Sequence, residues 1–302
     1  MSVNDHSYII IGGSTKCATT SVFAYLADHP QISGSKIKES RFFWKGNYPL
    51  KKEGFDFEDG IEMFDSLFDD KTNAKYRLEA TPDYLYSSKT ASLIKENLKD
   101  VRIIFIVRDP IDRVVSWFKF AKQLNLINAN ESIDDFIENQ FNVEGERIKE
   151  QHLHAVEQGC YGRYLEHYIK IFGRDRIKVI KYEQLTVNPS ASLANICDFI
   201  EIDSGFYKSY DFKVLNQSVN VVNAVAFNKY RDLRRKIRRS FKNIIPENFR
   251  QPFTKFFKKF DSIYVNKATS KFEEIVISEK TKNKLFNYYA EDKLIVESIM
   301  NS

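Results

Sequence analysis

Tyr8-Ile9-Ile10-Ile11-Gly12-Gly13-Ser14-Thr15-Lys16-Cys17-Ala18-Thr19-Thr20-Ser21 is the stretch that decides the fold. Its opening run is short, apolar and rich in β-branched residues, and two glycines close it, which is the pattern of a buried strand. Thr19 and Thr20 then open an amphipathic helix with Val22, Phe23, Tyr25 and Leu26 on its apolar stripe, and His29-Pro30 stops it. A loop between a strand and the open start of a helix gathers unpaired N–H groups at the positive end of a dipole, which suits a phosphate. Lys16 adds a charge that can reach a bridging or leaving oxygen, and the two threonine hydroxyls add donors. An ordinary tight turn with a capping threonine is the plainer alternative. A magnesium-binding NTPase loop needs a hydroxyl directly after its lysine. Cys17 and Ala18 follow Lys16, which weakens a kinase reading without removing it.

Outward from this loop, strands and helices alternate. Tyr76–Ala80 reads as a strand broken by Thr81-Pro82, and Ser87 or Ser88 caps a helix running through Leu98. Val101–Val107 is a nearly continuous apolar run of the kind covered on both faces in a parallel sheet. Arg108-Asp109-Pro110 ends it, with Pro110 in the first turn of a helix carrying Val114, Val115 and Phe118. A helix over Tyr161–Phe172 precedes a strand over Ile177–Tyr182. A last helix, about Glu279–Met300, shows Leu285, Tyr288, Tyr289, Leu294 and Ile295 on a packing stripe. This order predicts an α/β fold with a central parallel β-sheet flanked by helices, in one domain over residues 1–302. Residues 45–72 read as an aromatic-rich insertion, and residues 205–265 show no clean period.

Composition narrows the class. The 302 residues are 43% apolar and 29% charged, enough for a sizeable core and against wholesale disorder. The net charge of +5 is concentrated at residues 229–259, where Lys and Arg far outnumber Asp232 and Glu247. That field attracts phosphates, sulfates, acidic polymers or a membrane surface, or it is simply a solvated helix face; no specific nucleic acid is expected. Cys17, Cys160 and Cys197 are too few and scattered for a disulfide framework or a zinc site. No apolar run approaches the roughly 20 residues of a membrane span. With no room for a signal peptide before Tyr8, the expected location is cytoplasmic.

A second constellation follows the strongest strand: Arg108-Asp109-Pro110-Ile111-Asp112-Arg113-Val114-Val115-Ser116. Open α/β sheets bind ligands at the carboxyl ends of their strands, where Arg108 sits. Ser116 lies two helical turns on, so an arginine fork and a hydroxyl can meet a terminal phosphate. Arg113 is expected in a salt bridge with Asp109 or Asp112. The competing reading places Asp109 beside magnesium. The five histidines form no ligand set, and none is assigned to catalysis.

Lys16 to Thr20 resembles the 5′-phosphosulfate loop of sulfotransferases, of the form Lys-x-Gly-Thr-Thr, with Ala18 at the usual glycine. Arg108 to Ser116 resembles the 3′-phosphate motif of the same family. Lys38-Glu39-Ser40-Arg41-Phe42-Phe43 resembles the Lys-Glu-x-x-Phe-Phe segment of heparan-type and related bacterial sulfotransferases. The resemblance implies a P-loop nucleotide-kinase-like sulfotransferase fold, with 3′-phosphoadenosine 5′-phosphosulfate (PAPS) as donor and no metal required. It implies that Lys16, Cys17, Ala18, Thr19, Thr20, Arg108 and Ser116 hold the donor. Glu39 would deprotonate the acceptor while Lys16 stabilises the departing charge, and the acceptor would be a carbohydrate or another hydroxyl- or amine-bearing molecule. Ala18 is acceptable if its φ is negative. Glu79-Ala80-Thr81-Pro82 is similar to a Glu-Lys-Thr-Pro segment of the heparan branch but lacks its lysine, so Lys16 or Lys38 would supply that charge. Phe42 and Phe43 read as packing residues. Tyr161 reads as packing or as a neighbour of the nucleotide. Two rivals stay open: a magnesium-dependent kinase of a nucleoside or small molecule, and a basic module binding nucleic acid or acidic glycans through 229–259.

Overall fold

The computed structural model describes residues 6–44, 57–124, 126–128, 130–142, 154–213, 220–221, 269–270 and 275–302. Its frame is a parallel sheet of β1 (Ser7–Gly13), β2 (Ile32–Gly34), β3 (Tyr76–Ala80), β4 (Asp100–Val107) and β5 (Ile177–Lys181), in the order β2-β3-β1-β4-β5. The expected central parallel sheet is therefore present. β1 pairs with β3 on one side (Ile10↔Glu79) and β4 on the other (Ile10↔Ile103). The chain builds β2 and β3 on one side of β1 and then crosses to β4 on the other. That crossover makes the carboxyl end of β1 a switch point, where such sheets open a crevice.

The apolar run of β4 divides by alternation. Ile103, Phe105 and Val107 face a core with Phe42, Phe43, Phe64 and Tyr168, while Ile104 and Ile106 face another with Val22, Leu26, Leu193 and Ile196. A strand covered on both sides has no polar face to show, which explains its sequence. Helices α1 (Thr19–Asp28), α2 (Ile61–Asp65), α3 (Ser88–Asn97), α4 (Pro110–Gln123), α5 (Ile133–Phe141), α6 (Tyr161–Phe172), α7 (Tyr182–Val187), α8 (Pro189–Ile200) and α9 (Glu279–Asn301) supply the cover. Local chemistry sets several of their ends. Ser87 caps α3, its side chain accepting from the Thr90 N–H at 3.1 Å. Pro110 opens α4, and Asp109 caps it through Ile111 and Asp112 N–H groups at 2.9 and 3.2 Å.

Two expectations are corrected. The aromatic stretch after residue 56 is core, not insertion: Phe57, Phe64 and Phe68 pack with Phe42 and Phe43. The seam of α9 runs through Leu285, Tyr289, Val296 and Ile299, whereas Tyr288 and Leu294 are 41% and 68% exposed. Spacings of four, seven and three keep the observed residues on one helical face, and 288 and 294 fall off it. The short β2 and helices α5, α7 and α8 lie outside the sequence-based reading. The basic stretch 229–259 lies outside the described residues. Among the described residues, no helix is long and apolar enough to cross a membrane, and no three His, Cys, Asp or Glu side chains are grouped to hold a metal ion.

Candidate active site

The loop from β1 into α1 is tightly seated. A Cβ on Gly13 would lie 2.7 Å from Leu85 Cβ, and one on Gly12 would lie 2.7 Å from the Phe105 ring, so only glycine allows this approach. Lys16 and Ala18 both have left-handed backbones, with φ of 67° and 58°. The condition of a negative φ at Ala18 is therefore not met. The turn into α1 demands the conformation that glycine adopts freely, and alanine bears it at a cost of about 1 kcal/mol. Ala18 is also the N-cap of α1 and offers no side-chain acceptor, and no acidic residue sits in the first turn. Left-handed residues set into such a turn direct successive N–H groups toward one point, an anion-binding concavity.

Side chains beneath the loop fix it. Ser14 Oγ meets Cys17 Sγ at 2.8 Å and donates to the Ile106 carbonyl at 3.0 Å. Cys17 is fully buried, so its thiol does not face an incoming ligand. Burial pushes its thiol up, against the pull of Ser14 and of the Arg113 and Arg108 charges. Thr15 Oγ1 lies 3.2 Å from the Tyr86 hydroxyl and accepts from Arg113 Nη1 at 3.1 Å. Arg113 has no exposed surface. Its Nη2 donates to the Ala155 carbonyl, and its Nε has no partner. The expected salt bridge to Asp109 or Asp112 is absent among the described residues. Asp112 stands 3.6 Å from Arg108 instead, and Asp109 binds Lys293 at 3.1 Å while capping α4. The reason is helical phase: Arg113 shares the inward face of α4 with Trp117, and Asp112 points outward. Tyr161, buried at the start of α6, belongs to the core that also holds Phe105 and Tyr168.

Lys16 is half-buried, its ammonium 4.2 Å from the centroid of the Phe120 ring. Burial lowers its pKa to about 8; the Arg108 charge pushes the same way, while Cys17 and Glu39 oppose it. Arg108 leaves β4 with its guanidinium 4.5 Å from the Tyr182 ring centroid and its Nε buried without a partner. Ser116 is half-buried on α4, one turn beyond Asp112 and on the same face as the Arg108–Asp112 contact. The structure thus brings Lys16 within the electrostatic reach of both Arg108 and Glu39, joining residues distant in sequence.

Glu39 lies in the loop after β2, with a left-handed backbone (φ 59°) and a side chain 36% exposed. Its N–H donates to the Ala80 carbonyl at 2.8 Å. Lys38 Nζ holds Oε1 at 2.6 Å, and Arg41 Nη2 holds Oε2 at 3.2 Å. Burial would raise this carboxyl, but the two cations outweigh it and hold it below the usual carboxylate range. Each oxygen keeps a second lone pair, so an acceptor hydroxyl can still donate to it. Arg41 also reaches the buried Asp83, with Nε 3.1 Å from Oδ2. Lys38 and Arg41 are the cations beside Glu39, whose N–H meets the Ala80 carbonyl where the lysine of the similar segment is missing. Phe42 and Phe43 are fully buried, as packing residues should be. Glu79, Asp83 and Arg113 are the buried charges that the sequence reading did not place here. His29 is structural: its Nδ1 accepts from Gln31 N–H at 3.1 Å, so Nε2 donates to the Asp203 carbonyl at 2.9 Å.

Residues 7–273 match the family model described as a sulfotransferase domain. Human heparan sulfate glucosamine 3-O-sulfotransferase 3B1 is 23% identical over 203 residues, covering 66% of this chain and 48% of that protein. The membrane-associated sulfotransferase kil1 of Dictyostelium discoideum is 30% identical over 146 residues, covering 47% of this chain and 29% of its own. The chain therefore spans less than half the length of these curated relatives. A sulfotransferase from Alicyclobacillus acidocaldarius superposes with a TM-score of 0.66 at 18% identity, over 98% of this chain and 96% of that one, a likeness of fold. With the family match running through the phosphate loop, the Glu39 loop and the Arg108–Ser116 segment alike, this chain belongs to the sulfotransferase family.

Proposed function

We propose that this protein transfers a sulfuryl group from PAPS to a hydroxyl or amine of a carbohydrate. The observation that carries the reading is that Arg108 and Glu39 lie within electrostatic reach of Lys16, the three residues following the carboxyl ends of β4, β2 and β1 in one parallel sheet. The two cations there suit a donor with phosphate at both ends, and the carboxylate suits proton removal from an acceptor. Lys16 and the amides of Cys17, Ala18, Thr19 and Thr20, with the threonine hydroxyls, would hold the 5′ end. Arg108 and Ser116 would hold the 3′-phosphate, and the unpartnered buried Nε of Arg108 fits a group still to be bound. When bound, PAPS supplies an activated sulfuryl group on a phosphate leaving group. Glu39, already ionised by its two cations, receives the acceptor proton, and Lys16 neutralises charge on the oxygen opposite. The names of the heparan sulfate relatives support a glycan acceptor.

The kinase alternative loses support from Asp109, whose oxygens are taken by the α4 cap and by Lys293. Calorimetry with adenosine 3′,5′-bisphosphate is the direct test of the donor site, and saturable heat is expected. Transfer from radiolabelled PAPS, screened over polysaccharides that include desulfated heparin, tests the acceptor class. No heat from folded protein with the bisphosphate would overturn the reading.

A further inference from the structure

Behind the Glu39 loop lies a carboxyl group that the transfer reaction itself does not use. Glu79 is fully buried on β3. Its Oε1 accepts from Ser40 Oγ at 2.9 Å and from Thr81 Oγ1 at 2.6 Å, and its Oε2 has no partner. Each hydroxyl spends its only proton on Glu79, so its lone pairs turn outward. Thr81 Oγ1 accepts from Arg41 N–H at 3.2 Å, and Ser40 Oγ accepts from Phe42 N–H at 3.3 Å. Two backbone amides of the Glu39 loop are thereby tied to one carboxyl oxygen through two oriented hydroxyls.

We infer that Glu79 is a positioning residue, whose Oε1 orders the Ser40 and Thr81 hydroxyls and so holds the backbone that presents Glu39 to the acceptor. This rests on the reading of Glu39 as the base. The loop needs such a hold. Glu39 and Arg41 are both left-handed, at φ 59° and 54°, and non-glycine residues stay there only where their surroundings over-determine them. The one further tie of Glu39 to β3 among the described backbone bonds is its own N–H on the Ala80 carbonyl, adjacent to Glu79. An ionised Glu79 would also place an unsolvated charge behind Glu39. Burial raises its pKa to about 7, although Thr81, Ser40 and the Lys38 charge pull it down. The protonated acid keeps Oε1 as acceptor and puts its proton on Oε2. The titratable groups facing it are Lys38 from the Glu39 loop and Tyr84 from the turn after β3.

Glutamine keeps a carbonyl oxygen as acceptor for both hydroxyls, and alanine does not. The test compares Glu79→Gln and Glu79→Ala in three measurements. These are radiolabelled transfer to desulfated heparin, calorimetric binding of adenosine 3′,5′-bisphosphate, and hydrogen exchange at the Arg41 and Phe42 amides. Alanine is expected to lower kcat about 100-fold by misplacing Glu39, with donor-product affinity unchanged within about twofold. Exchange at both amides should rise by about tenfold or more as the hydroxyls that accept from them lose the oxygen that orients them. Glutamine should restore kcat and amide protection to within about threefold of the unsubstituted protein. Thr81→Val, which removes one relay hydroxyl at nearly constant shape, serves if alanine does not fold, and it should expose the Arg41 amide. Wild-type kcat and protection in Glu79→Ala or Thr81→Val would overturn the inference, as would a Glu79→Gln enzyme as impaired as alanine. A lack of bisphosphate binding by the unsubstituted protein would instead sink the donor reading, visible before any variant is made.

Discussion

The loop after β1 and the loop after β2, which flank the proposed site, treat charge in opposite ways. Around the β1 loop, positive charge has little carboxylate compensation among the described residues, the 3.6 Å pair of Arg108 with Asp112 being the one ion pair there. Lys16 lies on the face of Phe120, and Arg113 is fully buried against a hydroxyl and a carbonyl. Around the β2 loop, by contrast, Glu39 is matched by Lys38 and Arg41, Asp83 by Arg41, and Glu79 by two hydroxyls. Burying an unpaired cation is costly, so it persists where a bound anion offsets the cost. Glu39, paired on both oxygens, serves a different end: its two cations keep it ionised and in place. The contrast suits a charged donor arriving on one side and a proton leaving on the other.

The sharpest way to break that division is Glu39→Gln. It should lower kcat by about 10³-fold, within the range for removing a general base, and leave bisphosphate affinity unchanged. Labelled transfer and calorimetry on the same preparation check both halves. A loss of affinity in place of kcat would show that the two loops are not separable.

Next in size is the pH response of the donor side. Free Lys16 titrates near 8 because burial destabilises its charge. A bound anion favours the charged form, so its pKa in the complex is higher. Bisphosphate affinity should therefore be flat below pH 8 and fall about tenfold per unit above it, until the complex titrates in turn. Lys16→Arg, which keeps its charge throughout, should flatten the curve even if it binds less well. A wild-type affinity constant from pH 7 to 9.5 would mean that Lys16 does not meet the anion.

Arg113 tests the reserve of charge below the loop. Arg113→Met removes a buried guanidinium while filling much of its volume. Bisphosphate affinity should drop about tenfold, in line with one lost coupling between buried charge and ligand. Thermal stability of the free protein should fall little or rise, because the cost of burying the charge goes with it. A strong loss of stability with unchanged affinity would make Arg113 a structural brace alone.

How much of this could be read in the sequence follows from where the signals lie. The donor motifs are contiguous, and each adjoins a strand whose apolar run is nearly unbroken, so Lys16–Thr20 and Arg108–Ser116 were legible with their flanking strands. Tyr76–Ala80 and Tyr161–Phe172 also match their observed bounds, the one closed by Thr81-Pro82 and the other by Gly173. β2, with its three residues, is too short for any period to show. Arg113 was misassigned because Asp109 and Asp112 are near in sequence. Its spacing of four from the buried Trp117 carried the better signal. Glu79 was picked out only as part of Glu79-Ala80-Thr81-Pro82, and its burial was hidden by the alternation of Arg77 and Glu79 with apolar neighbours, which resembles a strand with a wet face. In fact β3 lies between β2 and β1 and is covered throughout. The relay to Ser40 and Thr81 joins loops after different strands, and no local pattern records it.

The smallest effect tests the backbone of the donor loop. Ala18 holds φ 58° at a position where a Cβ is strained by about 1 kcal/mol, and Ala24 sits within α1. Ala18→Gly removes that strain but gains unfolded-state entropy, so the net change should be a stabilisation of at most about 1 kcal/mol. Ala24→Gly gains the same entropy with no strain to relieve, and it should destabilise by about 0.5–1 kcal/mol. The comparison rests on sign, since glycine has the same unfolded-state cost at both sites. Denaturant midpoints that move in opposite directions would establish the left-handed turn that aims the loop amides. Two losses of equal size would place Ala18 in ordinary backbone and remove the geometric basis for an anion cradle there.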